Sequence, residues 1–332
     1  MGLKTVNQII QSLNDQTGLD LNLSKSNLTG GVNNSLYQLI DSRSGKYALK
    51  IYPQKGADDL RRRHDAEINF LQYYAALGGK YTPNIICYNI KNKWTLMSWL
   101  YGTKPKELKM TDFDAIGSFM HELNSPRDNS IKTNQLKLAA DAITSCQTLA
   151  NDIYKRIYKL NDELSRMERT KSTACLYNWL QQEIPSYASK NISKLLEKAD
   201  SSHWNDSSLC SIISPSDVGI HNIKKHINNL YFYDFEYAGY DDLSKFFCDW
   251  IMQPHYVFSL QQQASFMQII DKQITQVNNS WIQRVQDIIN LNHLKWTLII
   301  AKNEIKKGGN NLNWKKIDDY WQVRNLFKKS LF

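Results

Sequence analysis

The stretch Ile212 to Trp250, IISPSDVGIHNIKKHINNLYFYDFEYAGYDDLSKFFCDW, concentrates oxygen-bearing side chains at short spacing. Asn222 follows Asp217 by five residues, and Asp234 closes the β-favouring run Leu230-Tyr231-Phe232-Tyr233. A loop and a hairpin-like return would bring two carboxylates and a carboxamide together. Hard divalent cations take oxygen ligands, and a carboxylate beside such a cation can orient a hydroxyl. The set suits phosphoryl transfer.

Towards the N-terminus, Leu28 to Leu39 (LTGGVNNSLYQL) reads as strand, glycine turn, strand, and Lys46 to Tyr52 (KYALKIY) as the next strand. Glycines at such a turn let the backbone come close to a phosphate, and a lysine on the following strand can supply a point charge to it. After Pro53 the text predicts a helix opened by Asp58-Asp59 and closed near Gly78-Gly79, carrying Leu60, His64, Glu67, Ile68 and Leu71. Glu67 is the candidate partner of Lys50; the competing reading is a solvated carboxylate among Arg61, Arg62 and Arg63. Ile85 to Ile90 and Trp94 to Met97 suit two further strands, giving a small sheet of about five strands.

These elements, in this order, resemble the aminoglycoside phosphotransferase and choline kinase group of kinase-like enzymes. SPSDVGIHN is similar to the group's H-x-D-x-x-x-x-N loop, DFEYAG to its I-D-[WF]-E-x-A-G element, GGVNNSLY to its G-G-x-x-N-x-x-Y nucleotide loop, and LMSWLYG to its linker between lobes. The resemblance implies an α+β, bilobed protein-kinase-like fold, with a small antiparallel-sheet lobe over residues 1–100 and a large, mainly helical lobe over 101–332 that carries the catalytic loop. It implies Asp217 as the catalytic base, Asn222 and Asp234 as ligands of Mg2+, and Gly30, Gly31, Asn34, Lys50 and Glu67 as the site of ATP (or GTP). Backbone groups near Ser98 and Leu100 would hold the base. Glu236 reads as a supporting group and His221 as a neighbour inside the loop.

One departure stands out: Pro215 occupies the position of the group's histidine. Because that histidine mainly shapes the loop, Ser214 or Ser216 can brace it instead, whereas Asp217 has no substitute. The departure keeps open a second reading, a catalytically inactive nucleotide-binding module. A protein kinase is disfavoured by the absence of an H-R-D loop and an A-P-E segment, and acyl transfer by the absence of a G-x-S-x-G elbow.

At 332 residues and 42% hydrophobic composition the chain can bury a core. The net charge of +9 is spread along the sequence and forms no basic arm, which argues against nucleic acid as the main partner. No stretch approaches a membrane span, and Cys87, Cys146, Cys175, Cys210 and Cys248 show neither a C-x-x-C pair nor zinc spacing. The expectation is a cytoplasmic protein with reduced, buried cysteines and no membrane partner.

The rest reads as helix. Thr111-Asp112 caps Phe113 to Leu123; Asn134 to Ser186 shows no strand signal, with Ile153, Ile157, Leu160, Leu164 and Met167 on one stripe; Ile192 to Asp200 follows; and a last apolar helix from Leu294 breaks at Gly308-Gly309 before a terminal helix. His121 reads as a structural or surface histidine. In the related enzymes the helical segment at 126–206 builds the acceptor pocket. Arg127 to Asp206 holds twelve basic against ten acidic residues, and Ile251 to Phe332 eleven against five. A polycation needs an acidic wall. The partner expected is therefore a small-molecule hydroxyl acceptor, sugar-like or otherwise neutral to anionic, with an aminoglycoside as the alternative.

Overall fold

The computed structural model describes residues 3–28, 34–53, 62–125, 135–217, 219–274 and 280–328. In chain order the first elements are α1 (Leu3–Thr17), β1 (Asn22–Leu28), β2 (Ser35–Ile40), β3 (Lys46–Ile51), α2 (Arg63–Ala76), β4 (Ile85–Asn89) and β5 (Trp94–Ser98). Four helices follow, α3 (Met110–Asn124), α4 (Cys146–Ser165), α5 (Lys171–Asn178) and α6 (Ile184–Leu196), with a π turn at Trp179–Glu183. Then come β6 (Ile212–Ser214), β7 (Ile223–His226), β8 (Asn229–Phe232), β9 (Gly239–Asp241), α7 (Leu243–Met252), α8 (Leu260–Gln273), α9 (Ser280–Gly308) and α10 (Trp314–Lys328). The expected α+β class is what forms.

The chain divides into two compact units. The first comprises Met1–Pro105, Arg127–Lys137 and Asn222–Gly239. Its antiparallel sheet has the order β1-β2-β3-β5-β4, and the β7-β8 hairpin belongs to the same unit. Alternation along β3 sorts its two faces. Leu49 and Ile51 join Leu39, Trp94 and Leu96 in a core closed by Val6, Ile10 and Leu13 of α1, while Lys50 between them points to the other face. There α2 packs, with His64 Nε2 within 3.0 Å of Thr95 Oγ1 and 3.2 Å of the Trp94 carbonyl. Asp58, Asp59 and Leu60, where the sequence opens α2, lie outside the described residues. The helix ends as expected: Gly78 has φ +73, and a Cβ on Gly79 would meet the Tyr74 ring at 2.3 Å.

The second unit comprises Lys106–Pro126, Leu138–His221 and Tyr240–Phe332. In α3 the residues Phe113, Ile116, Phe119, Met120 and Leu123 are fully buried. The helix starts at Met110, earlier than expected, because the Asp112 carboxylate accepts the Lys109 N–H at 2.9 Å and caps the turn before it. The uninterrupted helical reading of 134–186 is corrected: among the described residues helix begins only at Cys146, and Leu138 forms a β-bridge with Tyr240. A single β-bridge carries too little periodicity to show in sequence. Helix α9 begins at Ser280, well before Leu294, with Trp281, Val285 and Ile288 fully buried, and breaks at the expected glycines. Every residue of α7 is buried. Arg284, itself fully buried, donates Nη2 to Asp242 Oδ2 at 2.8 Å and thereby braces the residue that caps α7.

All five cysteines are free; Cys146 and Cys248 are buried as expected, whereas Cys87, Cys175 and Cys210 are only half-buried. Among the described residues no helix is long and apolar enough to cross a membrane.

Candidate active site

In the first unit Lys50 sits on β3 with its Nζ 2.9 Å from Glu67 Oε1 on α2 and 2.5 Å from Asp234 Oδ1 just after β8. Strand alternation turns Lys50 away from the α1 core, and Glu67, 1% exposed, meets it from the helix. The sequence left Glu67 between a partner of Lys50 and a solvated carboxylate; it is the partner. Its Oε1 also accepts the Phe235 backbone N–H at 3.1 Å, and its Oε2 accepts the Tyr52 hydroxyl. Burial works against the charge on Lys50, but the Asp234 and Glu67 carboxylates outweigh it and hold the ammonium well above the ordinary lysine range. The same burial, reinforced by Glu67, raises the Tyr52 phenol.

The β7-β8 hairpin sets Asn222 beside Asp234. Ile223 pairs with Phe232 in its ladder, and the Tyr233 N–H donates to the Asn222 carbonyl at 3.1 Å, so the pairing extends one step to the residue preceding Asp234. Asp234 then turns out of the strand with φ +71, a left-handed conformation that aspartate tolerates better than branched or bulky residues. Asn222 is 4% exposed. Among the described residues no three His, Cys, Asp or Glu side chains cluster as a metal site. The Asn222 and Asp234 pair nevertheless fits Mg2+, which commonly takes one or two protein oxygens and completes its shell with phosphate and water.

Further contacts involve residues expected from the sequence at the nucleotide. Asn34 Nδ2 donates to Glu236 Oε2 at 3.1 Å, and Arg63 Nε lies 3.9 Å from the other oxygen of this buried carboxylate. Glu236 thus supports Asn34 directly; Gly30 and Gly31 lie outside the described residues. At the linker, the Ser98 N–H donates to the Asn84 carbonyl at 2.9 Å, and the Leu100 carbonyl accepts Lys224 Nζ at 2.7 Å. The Lys224 ammonium also lies 4.5 Å from the centroid of the Trp99 ring. Thr103 and Lys225 exchange both backbone hydrogen bonds, and Gly102, at φ +103, lets the two segments close: a Cβ there would lie 2.5 Å from the Lys225 carbonyl oxygen.

In the second unit Asp217 lies on the loop between β6 and the 3-10 turn Ile220–Asn222. Pro215 takes part in the loop's shape, its carbonyl accepting the Asp217 N–H at 2.9 Å. The Ser216 N–H donates to Ser214 Oγ at 3.0 Å, and Lys245 Nζ lies 3.4 Å from Ser216 Oγ, so both serines brace the loop. Ser216 itself has φ +61. Lys245 is buried and held by Asp241 at 2.7 Å and Asp249 at 3.1 Å, and Lys295 reaches Asp249 at 2.6 Å. Behind the loop the Ile220 N–H donates to Gln253 Oε1 at 2.8 Å. His221 is more than a sequence neighbour: its Nε2 lies 3.5 Å from Asp217 Oδ1. His121, read as structural or on the surface, is exposed on α3 with its Nδ1 2.8 Å from the Gln273 carbonyl oxygen.

No protein-family model matches the sequence, and no curated protein matches it. Solved structures do. The choline kinase of Streptococcus pneumoniae aligns with a TM-score of 0.63 and 16% identity, over 98% of this chain and 98% of that one. The chain shares the kinase-like fold of this structure. A choline/ethanolamine kinase family protein from Mesorhizobium loti is similar at a TM-score of 0.61 and 13% identity, covering 99% of this chain and 96% of its own. A spectinomycin phosphotransferase in complex with ADP and spectinomycin gives 0.61 and 13%, covering 98% of each chain. At these identities the likeness is one of fold, and chemistry must be argued from the side chains.

Within the kinase-like fold, Asn34, Lys50, Glu67, Asn222 and Asp234 all belong to the first unit, where Lys50, Glu67 and Asp234 are in direct contact. Asp217 belongs to the second. Sequence reading missed Tyr52, Arg63, Lys224, Lys245 and Gln253. A tyrosine two places along the strand from Lys50 was a usable signal for Tyr52, since i and i+2 share a strand face. Asp241, Lys245 and Asp249 stand at i,i+4 spacing, a usable local signal for Lys245; Arg63, Lys224 and Gln253 depend on partners distant in sequence, and no local pattern marks them.

Proposed function

We propose that the protein is a nucleotide-dependent phosphotransferase that moves the γ-phosphoryl group of ATP or GTP to a hydroxyl of a small molecule. The observation that carries this reading is the buried Lys50–Glu67 pair joined to Asp234, with Asn222 set beside it by the hairpin. A buried ammonium held by two carboxylates is a fixed positive charge suited to nucleotide phosphates. Asn222 and Asp234 are the residues that would hold Mg2+, which neutralises phosphate charge when bound. Asp217 is the base that takes the acceptor's hydroxyl proton as its oxygen bonds to phosphorus and the bond to the nucleoside diphosphate breaks. The neighbours named for choline, ethanolamine and antibiotics support a small-molecule acceptor.

For the acceptor we favour a sugar-like or otherwise neutral to anionic hydroxyl compound over a polycation, because neither helical segment of the second unit carries a surplus of acid. The test is an acceptor screen with purified protein, Mg2+ and each nucleotide. Aminoglycosides, choline, and neutral and phosphorylated sugars are offered side by side; efficient phosphorylation of the polycation would overturn the acceptor class. An inactive nucleotide-binding module is the second reading, favoured by Pro215. Its signature is nucleotide bound but consumed no faster than by an Asp217→Asn variant. The bracing of the loop by Ser214, Ser216 and Gln253 favours the active reading.

A further inference from the structure

We infer that Lys224 selects the base of the nucleotide and favours guanine over adenine. This rests on the reading of the Ser98 to Leu100 linker as the base-holding segment. A main-chain linker suits adenine when a backbone carbonyl is left to accept from the base's exocyclic amino group. Here the Leu100 carbonyl, the candidate acceptor, is engaged at 2.7 Å by Lys224 Nζ, and the Ser98 N–H is committed to the Asn84 carbonyl. The linker therefore presents an ammonium beside that oxygen, and the oxygen keeps at most one lone pair for a base.

The position of that ammonium is fixed. Lys224 stands on β7, which is hydrogen-bonded to β8, and its charge lies against the face of Trp99. The Thr103–Lys225 bridge and the close approach at Gly102 fasten β7 to the linker. An ammonium has three N–H donors and no acceptor. With one donated to Leu100, the others serve a base that offers acceptors on the edge it presents. Guanine offers O6 and N7, the pair that a lysine reads in nucleic acids; adenine sets an N6 amino group, a second donor, in place of O6. A donor facing a donor leaves both unsatisfied, and sites built around a polar partner reject the analogue that lacks it.

The test is calorimetric titration of the full-length protein with GTP and with ATP, each with Mg2+, in the parent and in Lys224→Met. The expected result is that the parent binds GTP about tenfold or more tightly than ATP, and that K224M brings the ratio close to one. A lysine that merely clamps the linker would weaken both nucleotides together and leave the ratio unmoved, which would overturn the inference. So would a parent that binds ATP as tightly as GTP, whatever the variant does. If K224M fails to show a cooperative melt, Lys224→Gln replaces it, and the parent's own ratio still decides. Binding of neither nucleotide would overturn the proposed function itself, and is thereby distinguished from a wrong base preference.

Discussion

Replacing Glu67 by alanine removes the carboxylate on which the first unit's polar centre converges. Three donors would lose their acceptor: Lys50 Nζ, the Tyr52 hydroxyl and the Phe235 N–H. Breaking a buried ion pair by deleting one partner costs about 3–5 kcal/mol. Lys50 keeps Asp234 at 2.5 Å, which pulls the charge term to the lower end, near 3 kcal/mol. The orphaned Tyr52 hydroxyl and Phe235 amide add about 1 kcal/mol or more each where water cannot reach them. A loss of about 5 kcal/mol is expected in the first unit, read by urea unfolding and by hydrogen exchange at the Phe235 amide. Tyr52→Phe deletes one hydrogen bond and keeps the ring, so it should cost only about 1 kcal/mol. A loss below about 1 kcal/mol in Glu67→Ala, or unchanged exchange at Phe235, would refute the view that this carboxylate organises the unit.

Three further outcomes are expected. Asp217→Asn should abolish phosphoryl transfer and leave nucleotide affinity nearly intact, since the proposed contact is with the acceptor; turnover at the parent rate would remove Asp217 from the mechanism. Asp234→Ala should weaken binding of the Mg2+ nucleotide about tenfold or more, because it deletes the proposed charged metal ligand and a partner of Lys50; a calorimetric titration like the parent's would show the proposed nucleotide residues to be misassigned. Burial works against the Asp249 charge, but Lys295 and Lys245 outweigh it and bring its carboxyl down to about 2. A depressed carboxylate stabilises the fold above its unfolded pKa and loses that contribution as the proton binds. The stability deficit of Asp249→Asn at neutral pH should therefore narrow by about 2 kcal/mol between about pH 5 and pH 1, and a deficit constant across that window would contradict the buried pairing.

Strand alternation in KYALKIY sorted apolar Leu49 and Ile51 from Lys50, so the face on which the lysine lies was legible in one dimension. The spacing from Asp217 to Asn222, the run ending at Asp234 and the glycines that end α2 and α9 were likewise local signals, and from them the α+β class followed. Local patterns could not settle the odds on Glu67, because a carboxylate among arginines reads as solvated until the helix is packed against the sheet. Nor could they reveal that Asn34 meets Glu236, two hundred and two residues away. The start of α9 at Ser280 was obscured because a helix buried on most sides carries no polar stripe to mark its period. The sequence by itself determined which residue types stand at the turns, strands and loops where phosphoryl chemistry could be built. Tertiary structure alone decided which of them touch, that serines and a lysine brace a loop lacking the group's histidine, and that Lys224 stands at the linker carbonyl. The physical reason is that burial and pairing are set by chain segments far apart in sequence, while propensity and periodicity reach only a few residues either way.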